Sequence, residues 1–381
     1  MSERLTIDGE CNLLHVADLH LGRGHGYLGP RSAERRVEAD GVIDRIVDFA
    51  VDAGHRIRAV LIAGDLFDTP NPPEELTGRV IAALTRLEDA GIHVVTVPGN
   101  HDEYSYPDSV YRRYEGRWPG VLITSPEPAL SAVLELGGRP CRFYGFAYTA
   151  GLTPTPLFPI PDDGEGRRIG VFHASVDMPG ADRSAHLTGA ELASLGLDYA
   201  ALGHIHKPGR WASGAGIACY PGLIEGRGFD DIGGSPLVVV NLDGASPRVT
   251  AVPFPSRKIE VREVDVGTFE SREAVEEHIR AMADDQLVLR VRLAGAARLS
   301  PDPDFLQSLL GGLFYHFEVE DRASVFGDTA ITAIGGEETI RGLFVRKMLE
   351  KIEAAGDAVA RNALDRALRI GLEAFGSWGR P

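Results

Sequence analysis

Five short polar motifs, each set at or just past the end of an apolar run, constrain this chain more than any other feature. Asp18-Leu19-His20 follows Asn12–Ala17, Gly64-Asp65-Leu66-Phe67-Asp68 follows Arg58–Ala63, and Gly99-Asn100-His101-Asp102 follows Ile92–Val97. Later, His173 follows Arg168–Phe172, and Gly203-His204-Ile205-His206 follows Tyr199–Leu202. Short apolar runs bounded by turn residues read as buried strands. In open α/β sheets, functional side chains collect at the carboxyl ends of such strands. The motifs thus require a fold that gathers several strand ends in one place.

The stretches between the motifs agree. Arg31–Gly54 has helical periodicity, with Ile43, Val47 and Ala50 on one face and Gly54 as the stop, and Glu74–Ala90 reads as a helix introduced by Pro70, Pro72 and Pro73. Strand, helix, strand, helix, strand implies neighbouring parallel strands. Further strands are expected at Val121–Thr124, Cys141–Phe146, Gly216–Tyr220, Leu237–Asn241 and Arg248–Val252, with few helices between them. The expected fold class is α/β, a mixed β-sandwich flanked by helices, over residues 1–255. Thr153–Gly166, rich in Pro, Gly and Asp, reads as a surface loop.

Beyond Pro253–Arg257 the pattern changes. Lys258–Val266, Arg272–Asp284, Leu287–Leu293, Asp304–Leu313 and Phe314–Val319 read as a compact βαβαβ unit, a second domain over 256–330. The tail, 336–376, reads as two helices broken at Gly356. Ile340, Phe344, Met348 and Ile352 form one apolar stripe, and Leu364, Leu368, Leu372 and Phe375 another. Such stripes serve as core or as docking faces.

Composition narrows the function classes. Cys11, Cys141 and Cys219 lie far apart, which argues against a disulfide framework and fits a reducing cytoplasm. No signal peptide and no membrane span are expected. The formal net charge of −16 would repel a polyanion. A chain that grips DNA unaided usually shows a basic face. Here basic residues cluster only locally, at Arg31, Arg35 and Arg36 and at Lys207 and Arg210.

The motif side chains are the ligand types of a two-metal site, a device for cleaving phosphate esters. In extended chain, Asp18 and His20 would point the same way and could reach one ion, and so could His204 and His206. The two carboxylate oxygens of Asp65 can bridge two ions. Asn100 offers a neutral hard oxygen, and His173, His204 and His206 are expected at strand ends. The Asp/Asn/His mixture favours Mn²⁺, with iron or Mg²⁺ behind it. A thiolate zinc site is excluded for want of local cysteine. His25 is close enough in sequence to contact a substrate.

These motifs resemble those of the calcineurin-like metallophosphoesterase superfamily, and more closely its SbcD branch of DNA double-strand-break repair nucleases. Asp18-Leu19-His20-Leu21-Gly22 and Leu202-Gly203-His204-Ile205-His206-Lys207-Pro208 are similar to that branch, and Tyr220–Arg227 looks most like its YhaO-type subgroup. The resemblance implies one metal on Asp18, His20, Asp65 and His206, and a second on Asp65, Asn100, His173 and His204. It implies that His101 faces the scissile phosphate while Asp102 orients it, with hydroxide on the two metals attacking phosphorus in line. It further implies a DNA exo- or endonuclease partnered by an SMC-like ATPase of the SbcC type, bound through the C-terminal helices, with room for a homodimer. One departure is Asp68, where archaeal and eukaryotic relatives tend to have His. That carboxylate either orients a ligand or caps the turn before Pro70, and the turn role is preferred. The alternative function is a phosphodiesterase or phosphatase acting on nucleotides or other small phosphoesters.

Overall fold

The computed structural model describes residues 7, 9–149, 160, 164–178, 185–295, 302–323 and 328–377. The chain divides into two compact units, Met1–Arg257 and Lys258–Pro381.

The first unit is a sandwich of two mixed sheets with helices outside. One sheet runs, in spatial order, Arg248–Val252, Leu237–Asn241, Asn12–Val16, Ile57–Ala63, His93–Val97 and Val121–Leu122. The last four strands are mutually parallel, as the strand–helix alternation predicts, and the first two are antiparallel. The other sheet runs Gly209–Ser213, Gly216–Tyr220, Tyr199–Gly203, Arg167–Val176, Arg139–Phe146 and Ala129–Leu136, with Ala185–Leu187 beside Arg167–Val176.

Period-2 alternation sorts each strand between two cores. From the first sheet, Leu13, Leu61 and Val95 face inward and meet Phe143, Val171 and Ala201 of the second. Their neighbours Leu14, Val60, Ile62 and Val94 face outward against Ile43, Ile46, Val47, Val80 and Leu84 of the helices Val42–Val51 and Glu74–Asp89. On the far side, Phe172, Leu202 and Tyr220 pack against Leu192 and Leu195. Each fully buried aliphatic side chain contributes about 1.5–3 kcal/mol, so this double burial fixes register and brings the strand ends together.

Several elements differ from expectation. The 31–54 helix breaks at Gly41 into Ser32–Asp40 and Val42–Val51. The strand expected to stop at Phe172 continues to Val176, because Ala174–Val176 pair with Ala185–Leu187 where the pairing with Arg139–Phe146 and Tyr199–Gly203 ends. His173 is therefore inside a strand. Ala129–Leu136 was not expected. It is an edge strand, half-buried or exposed except at Leu136, joined to Arg139–Phe146 through Gly137-Gly138, both at positive φ as tight hairpins require. Most of the expected Thr153–Gly166 loop lies outside the described residues.

In the second unit, Ile259–Asp265, Asp284–Ala294 and Phe314–Asp321 form a parallel sheet in that order, with helices Arg272–Arg280 and Pro303–Leu310. Val264, Leu289, Val291 and Phe317 make its core. On the opposite face Arg290 and Arg292 pair with Glu318 and Glu320 across the strands. Helices Ile340–Glu353 and Ala358–Ser377 follow. A further helix, Asp328–Gly335, packs Ile331 and Ile334 against Val345, Leu368 and Leu372.

Candidate metal centre

The five motifs meet at one edge of the sandwich. Two glycines make this approach possible. A Cβ on Gly203 would overlap the Ala63 carbonyl oxygen, and one on Gly99 would overlap the Asp65 carboxylate and backbone. His173 stitches the two sheets together there, its Nδ1 donating to the Ala63 carbonyl at 3.0 Å.

The backbone is not extended at the motifs, contrary to the alternation argument. Asp18 (φ 55°), His20 (φ 46°), Asp65 (φ 49°) and His204 (φ 94°) all lie in the left-handed region. Each such residue costs on the order of 1–3 kcal/mol unless its surroundings hold it. Here they do. Asp18 N–H donates to Gly64 O (3.1 Å) and His20 N–H to Asp65 O (2.9 Å). His204 N–H donates to Asp18 Oδ1 (2.9 Å), and His101 N–H to Asp65 Oδ1 (2.8 Å). A consequence is that His204 and His206 serve opposite ends of the centre rather than one side.

At one end, the Nε2 atoms of His20 and His206 approach to 3.2 Å, with Asp65 Oδ2 3.7 Å from His20 Nε2. Asp18 completes a cluster with these two imidazoles. At the other end, His173 Nε2 lies 2.9 Å from Asn100 Oδ1 and 3.5 Å from Asp65 Oδ2. His204 Nδ1 lies 3.0 Å from the same amide oxygen. Asp65 touches both ends.

The donor set fits divalent cations. His206 Nδ1 donates to Asp231 Oδ2 at 2.6 Å, which leaves its Nε2 as a bare lone pair. The Asp68 carboxylate, 3.3 Å from His20 Nδ1 without hydrogen-bond geometry, favours the proton on that nitrogen and the lone pair on Nε2. Two imidazole lone pairs facing each other beside carboxylates repel unless a cation lies between them. Burial favours the neutral, ligating imidazoles. It pushes His20 down to about 4 and His204 to about 3, and lowers His173. It also pushes the Asp18 carboxyl well above the usual range, with the neighbouring charge of Asp65 adding to the rise. A bound cation relieves both carboxylates.

A family model for calcineurin-like phosphoesterases matches residues 11–208, a span that includes Asp18, His20, Asp65, Asn100, His101, Asp102, His173, His204 and His206. The chain belongs to the calcineurin-like phosphoesterase family. Among relatives, it is 31% identical over 280 residues to the DNA double-strand break repair protein Mre11 of Aeropyrum pernix, covering 67% of this chain and 64% of the relative. It is 26% identical to the uncharacterized metallophosphoesterase YhaO of Bacillus subtilis, over 61% of this chain and 58% of that one. A shorter match, 32% identical over 90 residues, is to one subunit of the nuclease SbcCD of Escherichia coli K12, covering 24% of this chain and 21% of the relative. The chain thus spans less than two thirds of the length of these relatives.

Within this phosphoesterase site two expectations need correction. Asp102 does not orient His101. Its carboxylate is filled by Gly99 N–H (2.7 Å), Phe67 N–H (3.1 Å) and the Tyr111 hydroxyl (2.7 Å), so it clamps two motif loops together. Burial and the nearby Asp65 raise it to about 7. The group facing His101 is Asp68: its carbonyl accepts from His101 Nδ1 at 3.2 Å and its Oδ1 lies 3.7 Å away. Since Oδ1 also faces His20 Nδ1, Asp68 orients ring nitrogens rather than capping a turn.

Three residues at the centre had no sequence assignment. Asp231 holds His206, Arg23 Nη1 donates to Asp68 Oδ1 (3.2 Å), and Arg227 Nη1 reaches His20 Nε2 (3.2 Å) and His206 Nε2 (3.4 Å). Arg227 closes the YhaO-like stretch, which was the available signal. Asp231 lies in a short antiparallel ribbon, Glu225–Gly228 with Asp231–Gly233, that carries no motif. His25 is buried and both its ring nitrogens lack a hydrogen-bond partner among the described residues. Among the described residues no helix is long and apolar enough to cross a membrane.

Proposed function

We propose that this chain is a Mn²⁺-dependent phosphodiesterase acting on DNA, the catalytic subunit of a complex similar to SbcCD. The observation that carries the reading is the convergence of two ligand clusters on Asp65, combined with similarity to relatives named as break-repair and nuclease proteins.

Asp18, His20, Asp65 and His206 would hold one ion, and Asp65, Asn100, His173 and His204 the other. Paired divalent cations supply a nucleophile at neutral pH and neutralise charge on the transferring phosphoryl group. The protein's own groups do the rest. The neutral imidazoles and the strained, tied backbone keep the ligand atoms in place before any ion arrives. His101 is partly exposed beside the centre, with Nδ1 anchored on the Asp68 carbonyl, so its Nε2 is the atom available to a phosphate or a leaving oxygen. The Asp68 carboxylate lies 3.7 Å from the same Nδ1. The hard and borderline donors favour Mn²⁺ over soft metals, with iron and Mg²⁺ as alternatives.

The partner we propose is an SMC-like ATPase of the SbcC type. Ile340 is 78% exposed on the first C-terminal helix, Leu343 50%, and Ile370 57% on the second. These side chains are left over after the helices' own core is filled, which suits a docking face. Such a partner would also bring the basic surface that a chain of net charge −16 lacks. The acidity is the one observation that favours the second reading, an enzyme for small phosphoesters.

The test is cleavage of end-labelled single- and double-stranded DNA with Mn²⁺, beside the generic diester bis(p-nitrophenyl) phosphate, for the wild type and His101→Ala. DNA cleavage that the substitution abolishes supports the nuclease. Hydrolysis of the generic ester alone, unchanged when a partner ATPase is added, supports the small-substrate enzyme.

A further inference from the structure

Two guanidinium groups stand at the His20/His206 end of the centre, and neither is consumed by the fold. Arg227 points Nη1 at the two bare imidazole nitrogens. Those lone pairs are the ones an ion would take, so with the site loaded Nη1 loses both acceptors. The rest of the guanidinium is loosely held. Nε is 3.7 Å from Asp231 Oδ2, too far for a hydrogen bond, and among the described residues it has no hydrogen-bond partner. Arg23 is anchored by one bond, Nη1 to Asp68 Oδ1 at 3.2 Å, and its Nε likewise lacks a partner among the described residues. Its side chain stays about one third exposed, whereas that of Arg227 is mostly covered.

The anchors explain the placement. Each guanidinium lies beside a carboxylate that also faces a ligand imidazole: Arg227 is 3.7 Å from Asp231, which holds His206, and Arg23 is bonded to Asp68, which faces His20. Ligand orientation and guanidinium position are therefore set by the same two side chains. The positive charges lie near enough that Arg23 adds to the depression of Arg227, after burial itself. The carboxylates of Asp231, Asp68 and Asp65 offset part of that repulsion, and an anion held between the two guanidinium groups would offset more. Planar guanidinium forks are suited to phosphate oxygens.

We propose that Arg227 and Arg23 form a phosphate-binding subsite at the His20/His206 end of the centre, Arg227 gripping the phosphate that reacts and Arg23 the next phosphate along the strand. The proposal rests on the phosphodiesterase reading and sharpens it: the substrate carries at least two phosphates in series. It also answers the charge problem locally, since an acidic chain gains two directed cationic contacts where they matter. Arg227 touches the reacting phosphate, while Arg23 acts on binding of the neighbouring one.

The experiment uses the full chain loaded with Mn²⁺, and compares wild type, Arg227→Met, Arg227→Lys and Arg23→Met. Inorganic pyrophosphate, two phosphates in series, is titrated calorimetrically, and bound Mn²⁺ is counted in the same samples. KM and kcat are then measured on a thymidine trinucleotide. Arg23→Met is the deciding variant, because its guanidinium reaches no ligand nitrogen. The expected result is pyrophosphate binding weakened at least fivefold in Arg23→Met with Mn²⁺ content retained, and KM for the trinucleotide raised by a similar factor with kcat nearly constant. Arg227→Met should lose at least tenfold in both affinity and kcat/KM, with Arg227→Lys between it and wild type. Pyrophosphate affinity within twofold of wild type in Arg23→Met, or a loss that merely tracks lost Mn²⁺, overturns the subsite. If wild type binds pyrophosphate through these residues yet hydrolyses no diester, the subsite stands and the phosphodiesterase reading falls.

Discussion

Asp68 and Asp102 show how little a one-letter motif says about what a side chain touches. Both were legible as motif residues, yet their partners follow from backbone turns that spacing does not reveal. Asp68→Asn should weaken Mn²⁺ binding and activity by roughly 10–100-fold, because it removes the charge that faces the His20 ring nitrogen; calorimetric Mn²⁺ titration would show it, and unchanged affinity would count against the orienting role. Asp102→Ala leaves two N–H groups and a hydroxyl buried without an acceptor, and should cost about 2–4 kcal/mol in urea denaturation. His15 gives a pH prediction away from the ligands. Buried, with Nδ1 2.8 Å from the Tyr199 hydroxyl, it is pushed down to about 3 from an ordinary value of 6.5. The unfolded chain therefore binds a proton below pH 6.5 that the folded chain refuses. Stability from this group is complete above pH 6.5 and is lost as pH falls toward 3. His15→Gln should flatten the fall of urea midpoint between pH 6.5 and 4, and an unchanged slope would contradict it.

Strands that are buried on both faces were the easiest part to find in the sequence. Leu237–Asn241, buried along its whole length, was expected with the bounds it has, because a continuous apolar run between Pro236 and Gly244 leaves little choice. What escaped were elements whose stability comes from a neighbour: the edge strand Ala129–Leu136, the short Ala185–Leu187 and the ribbon carrying Arg227 and Asp231. The same holds for the centre. The nine candidate side chains come together because strand ends converge, which apolar runs predict; the left-handed turns at Asp18, His20, Asp65 and His204 are set by bonds between loops, which they do not. The close approach of the sheets at this edge is itself testable. Gly203→Ala would force a methyl group into the Ala63 carbonyl and the His173 ring. It should cost roughly 1–3 kcal/mol or more by overpacking and disturb the His173 end, lowering bound Mn²⁺ toward one per chain. Full occupancy in a stable Gly203→Ala protein would contradict the packing account.

Across the first unit, two sheets with apolar cores on three levels support a centre that is locally unfavourable, with buried carboxylates, opposed lone pairs and strained turns. Its metal-free form should accordingly be less stable. Ion concentrations near 100 times the dissociation constant add about 2.7 kcal/mol, which for a unit of this size raises the melting temperature by roughly 5–10 °C. Scanning calorimetry with and without a chelator measures the difference, and the transition of the second unit should not move. The central claim, that these motifs build one centre for two ions bridged by Asp65, is tested most directly by anomalous diffraction at the manganese edge from crystals grown with Mn²⁺. The account predicts two peaks about 3.5–4 Å apart, one against Asp18, His20 and His206, the other against Asn100, His173 and His204, with Asp65 between them and His101 touching neither. A single peak, or His101 among the ligands, would contradict it.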